Sequence, residues 1–143
     1  MKYFTLDRIW AYCIASLMGF FEPIGVLFFW LLVFILVDMF AGMYASLKEG
    51  KHLKSSKMQK TIIKFITYST SVILLHGLDV YMITFAEFGL AKIGCTLICG
   101  IEIYSIFENF YRATKNPVFK ALTQFTLGKI ESKTGVKIKG KKK

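Results

Sequence analysis

Seven ionisable or strongly polar side chains interrupt otherwise apolar stretches: Asp38, His76, Asp79, Glu102, Ser105, Glu108 and Asn109. An imidazole beside a carboxylate is the apparatus of acid–base chemistry, and His76 and Asp79, three residues apart, can touch on one helix face. No nucleophile, motif or pocket accompanies them, so no residue is assigned a catalytic role. Asp38, His76 or Glu102 can instead belong to a proton or ion relay. The same groups can also hydrogen-bond within one molecule and hold its helices together. A third possibility is that they line the contact between copies of the chain and turn to water when it opens. Residue types and spacing leave these three readings open. The cysteines add no chemistry: Cys95 and Cys99 share a helix face, but neither they nor Cys13 match a zinc framework or a Cys-x-x-Cys motif. Neither a metal nor a cofactor is expected.

The polar groups must be positioned by membrane-length helices. Ile24 to Val37 is a run of fourteen uncharged residues that leads into Asp38 and stays apolar through Leu47. A carboxylate near the middle of such a helix costs roughly 2.5–3.5 kcal/mol on insertion scales. The chain has 143 residues, 55% of them hydrophobic, with a mean hydropathy of +0.50. That exceeds the roughly 45–50% apolar content of soluble domains.

The net charge of +10 is segregated rather than spread. One group of lysines is Lys48, Lys51, Lys54, Lys57 and Lys60; the other is the tail after Ala113, where Lys115 and Lys120 come first. Cytoplasmic loops carry such an excess, so both segments are read as cytoplasmic. Anionic lipid head groups are the nearest polyanion for all seven of these lysines, and nucleic acid is not expected as a partner.

These observations predict an all-α membrane protein of about four transmembrane helices, with a transmembrane domain over 1–112 and a basic cytoplasmic tail over 113–143. The first helix is short, Ile9–Phe21, begun near Phe4 and turned at Glu22-Pro23; the second is Pro23–Leu47. The third runs from Thr61 to about Phe85, with Lys64 snorkelling to the surface. A tight turn at Glu87-Phe88-Gly89 leads to the fourth, Leu90 to about Tyr111, closed by Arg112. Both termini then face the cytoplasm. Three crossings with an outside amino terminus is the second choice, and a re-entrant or interfacial first segment competes with a spanning one. In the tail, Asn116-Pro117 reads as a helix cap and first-turn proline. Val118, Phe119, Leu122, Phe125 and Ile130 then form an apolar face flanked by lysines, expected to lie on the inner membrane surface, with a disordered tail past Gly128.

Helical rise sets the depth of each polar group. Measured from the outer end of its own helix, Asp38 lies roughly 21 Å in, Glu102 roughly 18 Å, His76 roughly 15 Å and Asp79 roughly 10 Å. Asp38, Gly42 and Ser46 share a face that Ala41 and Ala45 widen, and small residues at this spacing let helices approach closely. Glu102, Ser105, Glu108 and Asn109 read as one stripe facing the bundle, a second subunit or a wet lumen.

Four strings, in order, resemble the phage holin and toxin-secretion family. Val33-Phe-Ile-Leu-Val-Asp-Met-Phe-Ala-Gly42 is similar to its apolar Asp-aromatic-x-x-Gly signature, and Ser55-Ser56-Lys57 with the lysine-bearing helix after it resembles the next segment. Leu74-Leu-His-Gly-Leu-Asp79 resembles its His and Asp pair, and Glu102-Ile-Tyr-Ser-Ile-Phe-Glu-Asn109 its acidic stripe. Met39 departs from an aromatic position, and the first apolar stretch has no clear counterpart. The resemblance implies a bacterial inner-membrane protein that self-associates and permeabilises the membrane. Its functional partner would be an endolysin or an exported toxin. The competing expectation is a non-lytic subunit that packs helices or conducts ions in a larger assembly.

Overall fold

The computed structural model describes residues 2–51, 56–82 and 89–135, with side chains for 8–51, 58–82 and 89–135. These residues form four helices: α1 (Lys2–Lys48), α2 (Ser56–Tyr81), α3 (Leu90–Thr114) and α4 (Pro117–Thr134). The protein is all-α, and α1, α2 and α3 are each long and apolar enough to cross a membrane. Lys54, the Lys57 side chain, Glu87, Phe88 and residues 136–143 lie outside the described residues.

Two expected helices are one. Pro23 was to open a new helix, but it sits inside α1, which runs unbroken from Lys2 to Lys48. The proline removes one intrahelical bond, yet its fixed φ is helical, and neighbouring helices can satisfy a disturbed turn. Here His76 on α2 reaches Phe20 O at 2.9 Å, in the turn before the proline. The four expected crossings therefore become three candidate ones. At about 1.5 Å per residue, the 47 residues of α1 extend about 70 Å, more than twice a ~30 Å hydrocarbon core. With 26 and 25 residues, α2 and α3 reach only about 38 Å each, a comfortable span with tilt.

α3 is the hub, packing against α1, α2 and α4. In the half of the bundle near Phe20 the core is ordinary hydrocarbon: Ile24, Leu31, Ile35, Val72, Ala91 and Cys95 are buried together. Toward the 49–55 connection bulk gives way to small side chains, with Ala41, Ala45 and Ser46 all buried. At Gly42 the Asn109 side chain lies against α1, since a Cβ there would stand 3.4 Å from Asn109 Nδ2. Large side chains such as Val26, Phe29, Trp30, Phe40, Ile62 and Ile66 point outward. In a bilayer this exposed apolar belt is the lipid-facing surface.

Local chemistry explains the ends of α3 and α4. Gly89 enters α3 at φ 50, a left-handed conformation that costs glycine little. Asn116 caps α4, its side chain accepting the Val118 N–H at 2.9 Å ahead of Pro117 at the first turn. The helix does not stop at Gly128; it runs to Thr134 and ends at Gly135, whose φ is 68. α4 folds back along α3, with the Phe119 ring 5.4 Å from that of Phe110 and Ile130 packed on Gly100. The expected apolar face is thereby divided: Ile130 is buried against α3, while Val118, Leu122 and Phe125 are exposed.

Candidate functional site

The polar groups of three helices meet on the half of the bundle near the 49–55 connection. From the ends of their helices on that side, Lys64 lies about 12 Å deep, Asp38 about 15 Å and Glu102 about 18 Å, close to the midplane of a ~30 Å core. Lys64 Nζ donates to Asp38 Oδ2 at 2.7 Å and to Glu102 Oε2 at 2.9 Å. Tyr68, one turn along α2, donates its hydroxyl to Glu102 Oε1 at 3.0 Å. Glu102 has no exposed surface, and an ionised carboxylate so enclosed requires partners of this kind. One ammonium thus joins α1, α2 and α3 at mid-depth.

From Asp38 the chain of contacts climbs to the surface. Asn109 Nδ2 donates to Asp38 Oδ1 at 3.1 Å, and Arg112 donates to Asn109 Oδ1 at 3.2 Å. Arg112 then grips both oxygens of Glu49, from Nε at 3.0 Å and from its terminal nitrogen at 2.8 Å. Lys51 closes the series on Glu49 at 2.6 Å. Arg112 beside it, and then Lys51, hold the Glu49 carboxyl down to about 2. Three carboxylates and three cations balance along this line. A cleft of about 150 Å³ beside Asp38, Gly42, Thr61, Lys64 and Asn109 has room for a few waters at ~30 Å³ each.

His76 and Asp79 do not pair with one another. His76 Nε2 bonds to Phe20 O, and because a carbonyl only accepts, that nitrogen carries the proton. Asp79 instead crosses to α3, accepting the Leu90 N–H at 2.8 Å and the Ala91 N–H at 2.9 Å. A carboxylate at a helix N-terminus satisfies orphan donors and meets the positive end of the dipole. Two free N–H groups and a bared carbonyl turn are stronger attractions than a neighbour three residues away.

The expected single stripe on α3 splits in two. Glu102 and Asn109, seven residues apart, face α1 and α2. Ser105 and Glu108 drift off that face because each step of three residues falls about 60° short of a turn. They line a groove with Glu49, Arg112 and Lys115, and Glu108 makes no hydrogen bond or ion pair with another described residue. Ser46 hydroxyl turns back to Gly42 O at 3.0 Å. Of the basic residues, Lys48, Lys51, Lys60 and Lys115 are exposed where α1, α2 and α3 end on the connection side, and Lys120 is exposed in the first turns of α4.

Sequence reasoning missed the cation that organises the site. Lys64 was expected to snorkel away, and Tyr68, Arg112 and Glu49 drew no functional attention. A detectable signal was the Lys64–Tyr68 spacing of four inside an apolar helix, which sets a donor pair on one face.

Taken together, these features define a small multi-pass helical membrane protein whose internal charges are matched across its helices. A protein-family model described as the bacteriophage holin family matches residues 14–137. The chain belongs to that family, a group of membrane-permeabilising proteins rather than enzymes. Searches of curated proteins and of solved structures found no match.

Proposed function

We propose that this protein is a holin that accumulates in the bacterial cytoplasmic membrane, associates with copies of itself and opens the bilayer on a schedule. The opening would pass an endolysin to the wall or release a large toxin. One observation carries the reading: a small bundle stores an Asp38–Lys64–Glu102 ion triad at mid-membrane, fully partnered in the single chain. A lone helix trio gains nothing from charges there that hydrocarbon would not give more cheaply. An assembly that rearranges them toward water gains a hydrophilic wall.

Self-association is assigned to the α3 side that bears Ser105 and Glu108, where a carboxylate with no hydrogen-bond partner among the described residues flanks Arg112. When copies assemble, α4 would leave its resting contact with α3 for the anionic head-group layer, where Lys129 and Lys133 meet lipid phosphates. The part of α1 that packs in the bundle, Phe20 to Lys48, crosses once, so three crossings place the basic connection inside and the amino terminus outside, reversing the four-helix expectation for that end.

Substituting Glu108→Gln and Glu102→Gln tests the assignment through the time from induction to lysis. Glu108→Gln should shift the onset by altering contacts between copies, while Glu102→Gln should shift it by loosening the resting bundle. An unchanged lysis time in both single variants and in the double variant would remove these carboxylates from the mechanism. The saturation of the triad also favours a second reading, a non-lytic subunit whose charges only fasten helices together. That reading predicts harmless expression and a stoichiometric partner in mild detergent.

A further inference from the structure

The bundle covers α1 only from Phe20 onward, where the Phe20 ring lies 4.8 Å from His76 and 6.4 Å from the Tyr81 ring. Every residue from Ile9 to Gly19 is exposed. Ile9, Trp10, Tyr12, Ile14, Leu17 and Met18 are among them, each more than half exposed. At about 100° per residue these side chains surround the axis, so the arm has no polar face to offer water. Phe20 to Lys48 alone extends about 43 Å and already matches α2 and α3, leaving no membrane depth for the arm along the same axis.

We infer that this arm leaves the bundle axis at Gly19, in the turn that Pro23 loosens, and lies immersed in the leaflet opposite the basic connection, so that its partner is lipid. Proline inside a helix is the commonest cause of a kink, and the turn has room to bend. Gly19 and Gly25, on either side of it, have nothing within 4 Å of where a Cβ would stand. The His76 bond to Phe20 O fixes the last bundled turn, and so fixes where bending begins. Glu22, exposed between the arm and the lipid-facing belt of Val26, Phe29 and Trp30, marks the head-group level at which the bundle ends and the arm begins. Trp10 and Tyr12 near its far end are the side chains that settle at head-group level. This placement is independent of what the bundle does when copies assemble.

Two residues of the arm report on it directly. The protein is reconstituted in phosphatidylethanolamine–phosphatidylglycerol liposomes, with a membrane-impermeant maleimide on both sides and labelling mapped to the peptide that contains Cys13. Cys13 should stay unlabelled until detergent is added. In Trp30→Phe protein, Trp10 emission should be blue-shifted and quenched by lipids brominated near the head group, and not by iodide. Labelling of Cys13 in intact liposomes, or iodide quenching of Trp10, places the arm in water and overturns the inference. A Cys13–Cys13 disulfide on mild oxidation puts a sister arm where lipid should be, and overturns it equally. Cys13 labelling needs no substitution, so a misfolded Trp30→Phe variant leaves the test intact.

Discussion

Replacing Lys64 by Met should be among the most damaging single changes in the bundle. It removes the two bonds of 2.7 and 2.9 Å that hold Asp38 and Glu102 and leaves both carboxylates around one vacated position. Deleting one partner of a buried ion pair costs about 3–5 kcal/mol. The Lys64 side chain is 34% exposed and Asp38 13%, both lining the cleft with room for water, while Glu102 is fully enclosed, so the low end applies. About 3 kcal/mol is a hundredfold or more in the unfolding equilibrium. Neutralising the stranded acids should restore most of it. In Lys64→Met/Asp38→Asn/Glu102→Gln the amide oxygens still accept from Asn109 and Tyr68, and stability should return to within about 1 kcal/mol of the parent. Unfolding in mixed micelles of rising SDS fraction, followed by circular dichroism, measures all three proteins. A single variant within about 0.5 kcal/mol of the parent, or a triple variant no better than the single, would refute the triad as the organising contact.

Other perturbations probe the surrounding contacts. Asp79→Ala should cost about 1–2 kcal/mol and speed amide exchange at Leu90 and Ala91, the two donors it caps; unchanged exchange there would contradict the cap. Glu49 has a folded pKa of about 2 against an ordinary 4.5, so its stabilisation is complete above 4.5 and drains away as the pH falls toward 2. The stability gap between the parent and Glu49→Gln should therefore be flat above about pH 5 and close below it, whereas a pH-independent gap would exclude the Arg112 grip as its source. Gly100→Leu should push α4 off α3, because even a Cβ there would stand in contact with Ile130 at 3.5 Å and the rest of a leucine has no room. A disulfide engineered between positions 110 and 119 should then form more slowly in Gly100→Leu, and an equal rate would show that α4 is held elsewhere.

Much of this architecture was written in local chemistry. Apolar runs around Ile24–Val37, Thr61–Phe85 and Leu90–Tyr111 marked the spanning helices, since predominantly apolar stretches that long have few other uses. Asn116-Pro117 marked the start of α4 because side-chain capping and a first-turn proline are decided by neighbours in sequence. Pro23 misled for a tertiary reason: whether a proline ends a membrane helix depends on what satisfies the turn before it, and His76 is 56 residues away. Mid-depth polar groups could be counted from helical rise, but their pairing could not. Asp38 and Glu102 meet through Lys64, a residue whose long stem equally well suits the surface. Ser105 and Glu108 separated from Glu102 because the difference between 3 and 3.6 residues accumulates over two steps. The side on which α4 lies rests on Gly100 and Ile130, two apolar residues that no polarity pattern connects.

The most direct test follows membrane potential and culture turbidity in bacteria after induced expression, with and without a co-expressed cytoplasmic murein hydrolase. Permeabilisation predicts steady growth, then an abrupt collapse of potential at a reproducible time, with loss of turbidity only when the hydrolase is present. Sustained potential and growth, with the protein verified in the membrane at full level, would contradict the proposed function.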